Sequence, residues 1–326
     1  MKRRRFSTKV VASILLVLSA GSAAYAQTGD FPSKPVTIIS DASAGAAPDV
    51  AVRFVADGLS KIWGQKVIVI NRPGANGSIA ARAAADASPD GYTLFMPSLS
   101  TFAALPSVAP NLPLKLPRDF LPIGFTAEQP MFITVNPSLG VSTLAQYIAM
   151  AKKEPGQMSV AVSGIGRLTH FTSELLQAQA GIKLVTIPYT HSMATAVADV
   201  ASGRVSLIIE NYSAIVGAVK AGQVNLIAVA SVERLPEFPN VPTVAETIPG
   251  FIATGWQVLL APLGTPAPVV SKISADLSKA VSDADFKKRL ATIGAYSRAM
   301  TPEQVLAFVA QQQETWLPVV QRISDK

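Results

Sequence analysis

Cysteine is absent from the 326-residue chain, which excludes a disulfide framework and thiolate chemistry. The same absence suits an oxidising compartment, where a stray thiol is a hazard. Histidine is nearly as scarce: His170 and His191 are the two present, 21 residues apart, and no zinc site or other metal is expected from them. A G-x-S-x-G elbow, a P-loop and a complete dinucleotide fingerprint are all missing. Gly164-Ile165-Gly166 begins like the last of these but lacks its third glycine. No nucleophile–base pair stands out, although a triad is defined by geometry and not by spacing. Neither an internal repeat nor a low-complexity segment is present, and no cofactor is implied.

Also lacking is an apolar run of the roughly 20 residues that a membrane span requires. The nearest is Val10 to Ala20, preceded by Lys2, Arg3, Arg4, Arg5 and Lys9 and followed by Ala24-Tyr25-Ala26. A basic region, a short apolar region and an A-x-A site make a secretory signal peptide over residues 1–26, cleaved between Ala26 and Gln27. Arg3-Arg4-Arg5-Phe6 also resembles a twin-arginine signal, while the strongly apolar stretch favours the general secretory route. Removing the leader changes the charge argument. The whole chain is +7, but losing those five basic residues leaves 23 basic against 21 acidic, a net +2. A near-neutral mature chain has no electrostatic footprint for nucleic acid. The roughly 300 residues that remain exceed one typical core and suit two lobes.

What is present is an alternation of strand and helix signals. Val36 to Ile39 is a β-branched strand, followed by small residues and an apolar pattern of helical spacing through Val50, Phe54, Val55, Leu59, Ile62 and Trp63. A small-residue loop at a helix start leaves N–H groups open to an anion, or is simply a tight turn. Asn71-Arg72-Pro73-Gly74-Ala75-Asn76-Gly77-Ser78 is a second such loop, leading into a helix over 79–87. Ser163-Gly164-Ile165-Gly166-Arg167-Leu168-Thr169-His170 is a third, opening a helix that Gly181 stops. Extended segments at 123–126 and 131–135 mark a crossing into a second lobe, and the proline-rich stretch 236–249 returns to the first. Thr301, Pro302 and Gln304 form a capping box that opens the last helix.

These residues carry a resemblance over essentially the whole mature chain. Phe31-Pro32-Ser33-Lys34-Pro35-Val36, the Asn71–Gly77 loop, Pro89-Asp90-Gly91-Tyr92-Thr93-Leu94 and Ile187-Pro188-Tyr189 are similar to the Bug family. So are Pro239-Asn240-Val241-Pro242-Thr243-Val244-Ala245-Glu246 and Leu259-Leu260-Ala261-Pro262. Bug proteins are the extracytoplasmic solute-binding proteins of tripartite tricarboxylate transporters. The resemblance implies an α/β, two-lobed periplasmic-binding-protein type II fold with a ligand cleft between the lobes. Lobe 1 is expected over 28–127 plus 247–326 and lobe 2 over 128–246. It also implies a periplasmic monomer that closes on a small carboxylate and meets membrane transporter subunits transiently, with no catalysis of its own.

The resemblance further implies which residues meet the ligand. From the first loop, Gly45, Ala46 and Ala47 are expected to supply backbone donors and Ser43 a hydroxyl. Asn76, Gly77 and Ser78 open the next helix, with Ser78 alternatively only its cap. Ser98 and Ser100 follow a strand end. From the second lobe, Ser163, Gly164, Gly166, Arg167 and Thr169 match the family's glycine-rich loop, and Asn211 follows the strand 205–209. Tyr189 either bonds a carboxylate or closes the lobe interface. Asp49 meets a ligand amine or caps the first helix. His170 reads as structural.

Departures from the family pattern matter as well. Its first loop runs proline, aromatic, two small residues and two glycines, where this chain has Asp41, Ala42, Ser43, Ala44, Gly45 and Ala46. Alanine at 46 is strained if that position needs positive φ, and Asp41 adds negative charge near an anion site. Arg167 replaces the usual serine or threonine. It is expected to grip the ligand carboxylate as a fork, or else to face solvent or pair with Asp41 across the cleft. Dicarboxylates, tricarboxylates, aromatic carboxylates and amino acids all remain open as ligands. A periplasmic sensor and an exported hydrolase are the competing functions.

Overall fold

The β-branched run Val36-Thr37-Ile38-Ile39 does form a strand, β1 (Val36–Ser40), flanked by β2 (Val67–Asn71) and β3 (Thr93–Met96) in parallel register. A computed structural model describes residues 31–102, 115–190 and 192–324; the leader at 1–26 and His191 lie outside the described residues. The first sheet has the order β2-β1-β3-β10-β4, with β10 (Thr254–Pro262) antiparallel to both β3 and β4 (Phe120–Pro130). The second sheet repeats that plan as β7-β6-β8-β5-β9. There β6 (Ser159–Val162) is parallel to β7 (Val185–Pro188) and β8 (Leu207–Glu210), and β5 (Phe132–Val135) is antiparallel to β8 and β9 (Asn225–Val229). The first sheet thus takes in one strand, β10, that follows the second lobe in the chain, whereas the second is built from the consecutive strands β5 to β9.

Helix α1 (Ala47–Trp63) shows how local sequence and packing combine. Pro48 sits in its first turn, and Gly64 ends it at φ 65° with its N–H on the Ser60 carbonyl at 3.0 Å. Its core face is Ala51, Val52, Val55, Ala56 and Leu59; a side chain such as Leu59 contributes about 1.5–3 kcal/mol when fully buried. The larger residues of the sequence pattern lie elsewhere. Ile62 is 40% exposed, Phe54 lies beneath the Arg289 guanidinium, and Trp63 is half-buried and donates to Asp276 Oδ2 at 2.9 Å. The later helices are α2 (Ser78–Ala85), α3 (Leu144–Lys153), α4 (Leu168–Ala180), α5 (Met193–Ala201) and α6 (Tyr212–Lys220). After them come α7 (Ala267–Ser282), α8 (Ala284–Ala291) and α9 (Pro302–Ser324).

Two segments join the lobes. The chain passes from β4 to β5 through Met131 and returns through 230–253. Met131 N–H donates to the Ala253 carbonyl at 3.1 Å, Ala230 N–H to the Met131 carbonyl at 2.8 Å, and Ala253 N–H to the Ala230 carbonyl at 2.9 Å. Helix α9 packs on both sides of this crossing. Its Phe308 meets Trp256 of β10 at 5.3 Å between ring centroids, and its Trp316 meets Phe171 of α4 at 6.2 Å. Among the described residues no helix is long and apolar enough to cross a membrane.

Candidate functional site

In each sheet the connection after one strand (β1 to β2, β6 to β7) goes one way and the connection after its neighbour (β3 to β4, β8 to β9) the other, which opens a crevice at the strands' carboxyl ends. The two crevices face each other across the lobes and form one cleft of about 440 Å³. Its walls come from the loops after β1 and β3, the loops after β6 and β8, and the crossing strands β4 and β10. Four helices, α1, α4, α5 and α6, bring first-turn or capping residues to it. A helix start carries unpaired N–H groups and the positive end of the helix dipole, so this layout favours an anion.

Of the expected residues, Ser43, Gly45, Ala46, Ala47, Ser98, Ser163, Arg167, Thr169 and Asn211 line the cleft, together with Ser100. The first loop is tightly organised. Gly45 takes φ 80°, and its N–H donates to Asp49 Oδ2 at 2.8 Å. Ala46 sits at φ −69° and ψ 157°, so alanine at that position carries no strain. Its N–H donates to the Ser43 carbonyl at 3.1 Å, so of the three expected backbone donors Ala47 N–H is the one without a partner among the described residues.

Asp49 does not line the cleft. It is 1% exposed and holds Gly45, Arg53 Nε at 3.0 Å and Asn71 Nδ2 at 2.8 Å. Burial on its own raises its pKa; those hydrogen bonds and the Arg53 charge outweigh it and hold the carboxyl below its ordinary value. Asp41 is likewise buried and turned away from the cleft, which removes both its expected repulsion of an anion and the pairing with Arg167. It accepts from Ser98 N–H at 3.2 and 3.1 Å, from Ser98 Oγ at 2.8 Å and from Thr101 Oγ1.

Asn76, Gly77 and Ser78 stand outside the cleft lining. Gly77 packs against Thr101, and Asn76 faces the third loop, where a methyl group on Gly166 would lie 3.6 Å from its Oδ1. Gly164 and Gly166 shape the third loop at φ 140° and 75° without lining the cleft. Within that loop Thr169 Oγ1 accepts from Ser163 N–H at 2.9 Å, and His170 Nδ1 accepts from Gly166 N–H at 3.2 Å. Tyr189 also lies outside the lining. Its hydroxyl donates to Asp199 Oδ2 at 2.6 Å, and burial together with that carboxylate pushes its pKa up to about 12.

Arg167 is half-buried at the cleft, and its guanidinium meets no hydrogen-bond or ion-pair partner among the described residues. Sequence reasoning missed Glu210, Gln129, Gln257, Thr190, Met193, Ser213 and Trp256, all of which line the cleft. Glu210 carried a readable signal, a carboxylate at the carboxyl end of a buried strand. The glutamines did not, because Gln129 and Gln257 are brought together only by the pairing of β4 with β10, strands far apart in the chain. Among the described residues no group of three or more His, Cys, Asp or Glu side chains is placed to hold a metal ion.

A family model described as the tripartite tricarboxylate transporter family receptor matches residues 51–324. BugT of Bordetella pertussis is 32% identical, covering 98% of this chain and 98% of its own. A solved R. palustris protein with adipate is 29% identical at a TM-score of 0.80, over 90% of this chain and 99% of that one. MatC from Rhodopseudomonas palustris with bound malate is 28% identical at a TM-score of 0.75, over 89% and 100%. With its two matching sheets, its interlobe cleft and these likenesses over nearly its whole length, the chain belongs to the Bug-type solute-binding receptors of the tripartite tricarboxylate transporter family.

Proposed function

We propose that this protein captures a small carboxylate in the periplasm and delivers it to the membrane subunits of a tripartite transporter. The observation that carries the reading is the cleft itself. Serine hydroxyls, the first turns of helices from both lobes and one unpartnered guanidinium surround about 440 Å³ at the strands' carboxyl ends. Adipate and malate, bound by relatives of the same fold, are both small carboxylates. The basic, apolar and A-x-A sequence at the amino terminus supports export.

Binding is a lobe movement. The crossings at Met131 and at 230–253 form the hinge; an anion entering between the loops draws the second lobe onto the first and completes the shell. One chain supplies both walls, so a monomer suffices. The closed surface is what the membrane subunits read, and the energy of transport comes from them.

A thermal-shift screen of the mature protein against carboxylates, amino acids, and neutral and cationic controls tests this. A ligand confined to the folded state raises the melting temperature by mass action. Stabilisation by a carboxylate class is expected. Stabilisation by none of the carboxylates, amino-bearing or plain, overturns the reading.

A further inference from the structure

Among the described residues, two charged side chains line the cleft, and they carry opposite signs: Arg167 at the start of α4 and Glu210 at the end of β8. Glu210 is 5% exposed. In the sheet it sits opposite Phe132, the first residue past the crossing, which places it at the hinge side of the cleft. Its Oε1 accepts from Asn211 N–H at 2.8 Å and from Asn211 Nδ2 at 3.0 Å; its other oxygen has no partner among the described residues.

Two more acceptors belong to cleft-lining side chains. Asn211 Oδ1 and Gln257 Oε1 are buried without a hydrogen bond. The orientation of both amides is set by their nitrogens. Asn211 Nδ2 serves Glu210 Oε1, and Gln257 Nε2 donates to the Pro48 carbonyl at 3.2 Å, so turning either amide over would set oxygen against oxygen. Buried acceptors without donors are costly, by about 1–3 kcal/mol each. A plain dicarboxylate brings them only further acceptors, and its second carboxylate meets Glu210 with like charge wherever Glu210 is ionised.

We propose that the cleft selects a carboxylate that also carries an ammonium group, an amino acid, with Arg167 holding the carboxylate and Glu210 holding the ammonium. This deepens the carboxylate-capture reading and rests on it. An ammonium offers three donors and a positive charge to the Glu210 carboxylate, with Asn211 Oδ1 and Gln257 Oε1 as further acceptors. Other nearby groups are otherwise engaged: Asp41 and Asp49 are bound inside the first loop, His170 Nε2 lies 3.7 Å from Glu174 Oε1, and the Tyr212 ring packs at an angle against Phe132 and Phe238. Burial pushes the Glu210 carboxyl up to about 7, and a neighbouring cation restores its charge.

Calorimetry on the mature protein near neutral pH, with ligands matched except for the amine, tests the assignment. The pairs are aspartate against succinate, glutamate against glutarate, and leucine against isocaproate. In at least one pair the amino member is expected to bind tenfold tighter or more, and Glu210→Gln is expected to shrink that preference about tenfold. If the variant fails to fold, the wild-type pH profile decides, since the preference should grow between about pH 6 and 8 as Glu210 ionises. A preference that stays flat or falls over that range overturns the assignment. So does a plain carboxylate that binds as tightly as its amino partner in every pair, in which case carboxylate capture itself stands. Binding by no member of either kind removes both readings.

Discussion

Gly45 N–H donates to Asp49 Oδ2 at 2.8 Å, so the glycine near the end of the first loop is held by the helix into which the loop leads. Asn71 Nδ2 reaches Asp49 Oδ1 at 2.8 Å and the Ala42 carbonyl at 3.0 Å, tying the same loop to the end of β2. The Arg53 side chain is 51% exposed, so solvent screens its share and the loop contacts dominate. Asp49→Ala leaves a backbone donor and an amide donor unpaired. We expect a loss of about 2 kcal/mol in urea denaturation, together with weaker ligand binding. The Asp49 pKa is lowered on folding, so its contribution is present above the unfolded value and lost as pH falls through the folded one. The stability gap between wild type and variant should therefore close below about pH 4.

The same loop separates two adjacent small residues. A methyl on Gly45 meets nothing within 4 Å, so the cost of Gly45→Ala is the φ of 80° and not space. Left-handed backbone at a non-glycine residue costs about 1–2 kcal/mol. Ala46 at φ −69° has no such demand. Gly45→Ala should lower stability by about 1 kcal/mol, whereas Ala46→Gly should change it by a few tenths, read as melting temperatures side by side. Equal losses would mean that the two positions do not differ as their dihedrals imply.

The loops and helices were legible because their signals are local. Thr301 and Gln304 form the expected capping box, with Thr301 N–H on Gln304 Oε1 at 2.9 Å and Gln304 N–H on Thr301 Oγ1 at 3.3 Å. Gly64 and Gly181 end their helices in the left-handed region as their positions indicate. What stayed hidden depends on chain brought from afar. Asp41 looked like a charge in the cleft until Ser98 and Thr101, some 60 residues on, were seen to absorb it. The core face of α1 differs from the sequence pattern because Ile62 is exposed and Phe54 and Trp63 are half-buried, where Arg289 covers Phe54 and Asp276 takes Trp63. Gln257 joins the wall because β10 returns to pair with β4, a long-range pairing that no periodicity announces.

Arg167 offers a clean separation of binding from folding. Its guanidinium has no partner among the described residues, so Arg167→Ala should leave stability nearly unchanged. A charged hydrogen bond to a carboxylate is worth about 1.5–3 kcal/mol, so the affinity of a carboxylate ligand should fall roughly tenfold to a hundredfold. Arg167→Lys should recover only part of it, because an ammonium cannot present the bidentate fork. Titration calorimetry on the three proteins measures this, and an unchanged affinity in Arg167→Ala would place the carboxylate elsewhere in the cleft.

Glu210 predicts a pH dependence of the ligand-free protein with the opposite sign to that of Asp49. Desolvation is the largest influence on its carboxyl, and the two hydrogen bonds from Asn211 offset only part of it, so its pKa rises from about 4.5 to about 7 on folding. Between those values the folded state holds a proton that the unfolded state has lost. Stability therefore falls as pH rises through this window and levels off above it. A shift of that size corresponds to about 3 kcal/mol over the whole window. Glu210→Gln keeps the shape and cannot ionise, so it should melt near the wild type at pH about 5 and above it at pH about 8. A ligand ammonium reverses the wild-type trend by neutralising the ionised carboxylate in place. Melting curves of both proteins across this range, with and without a bound amino acid, read the two effects separately. Parallel curves for wild type and variant would mean that Glu210 titrates normally and that the hinge-side wall of the cleft is wetter than its burial implies.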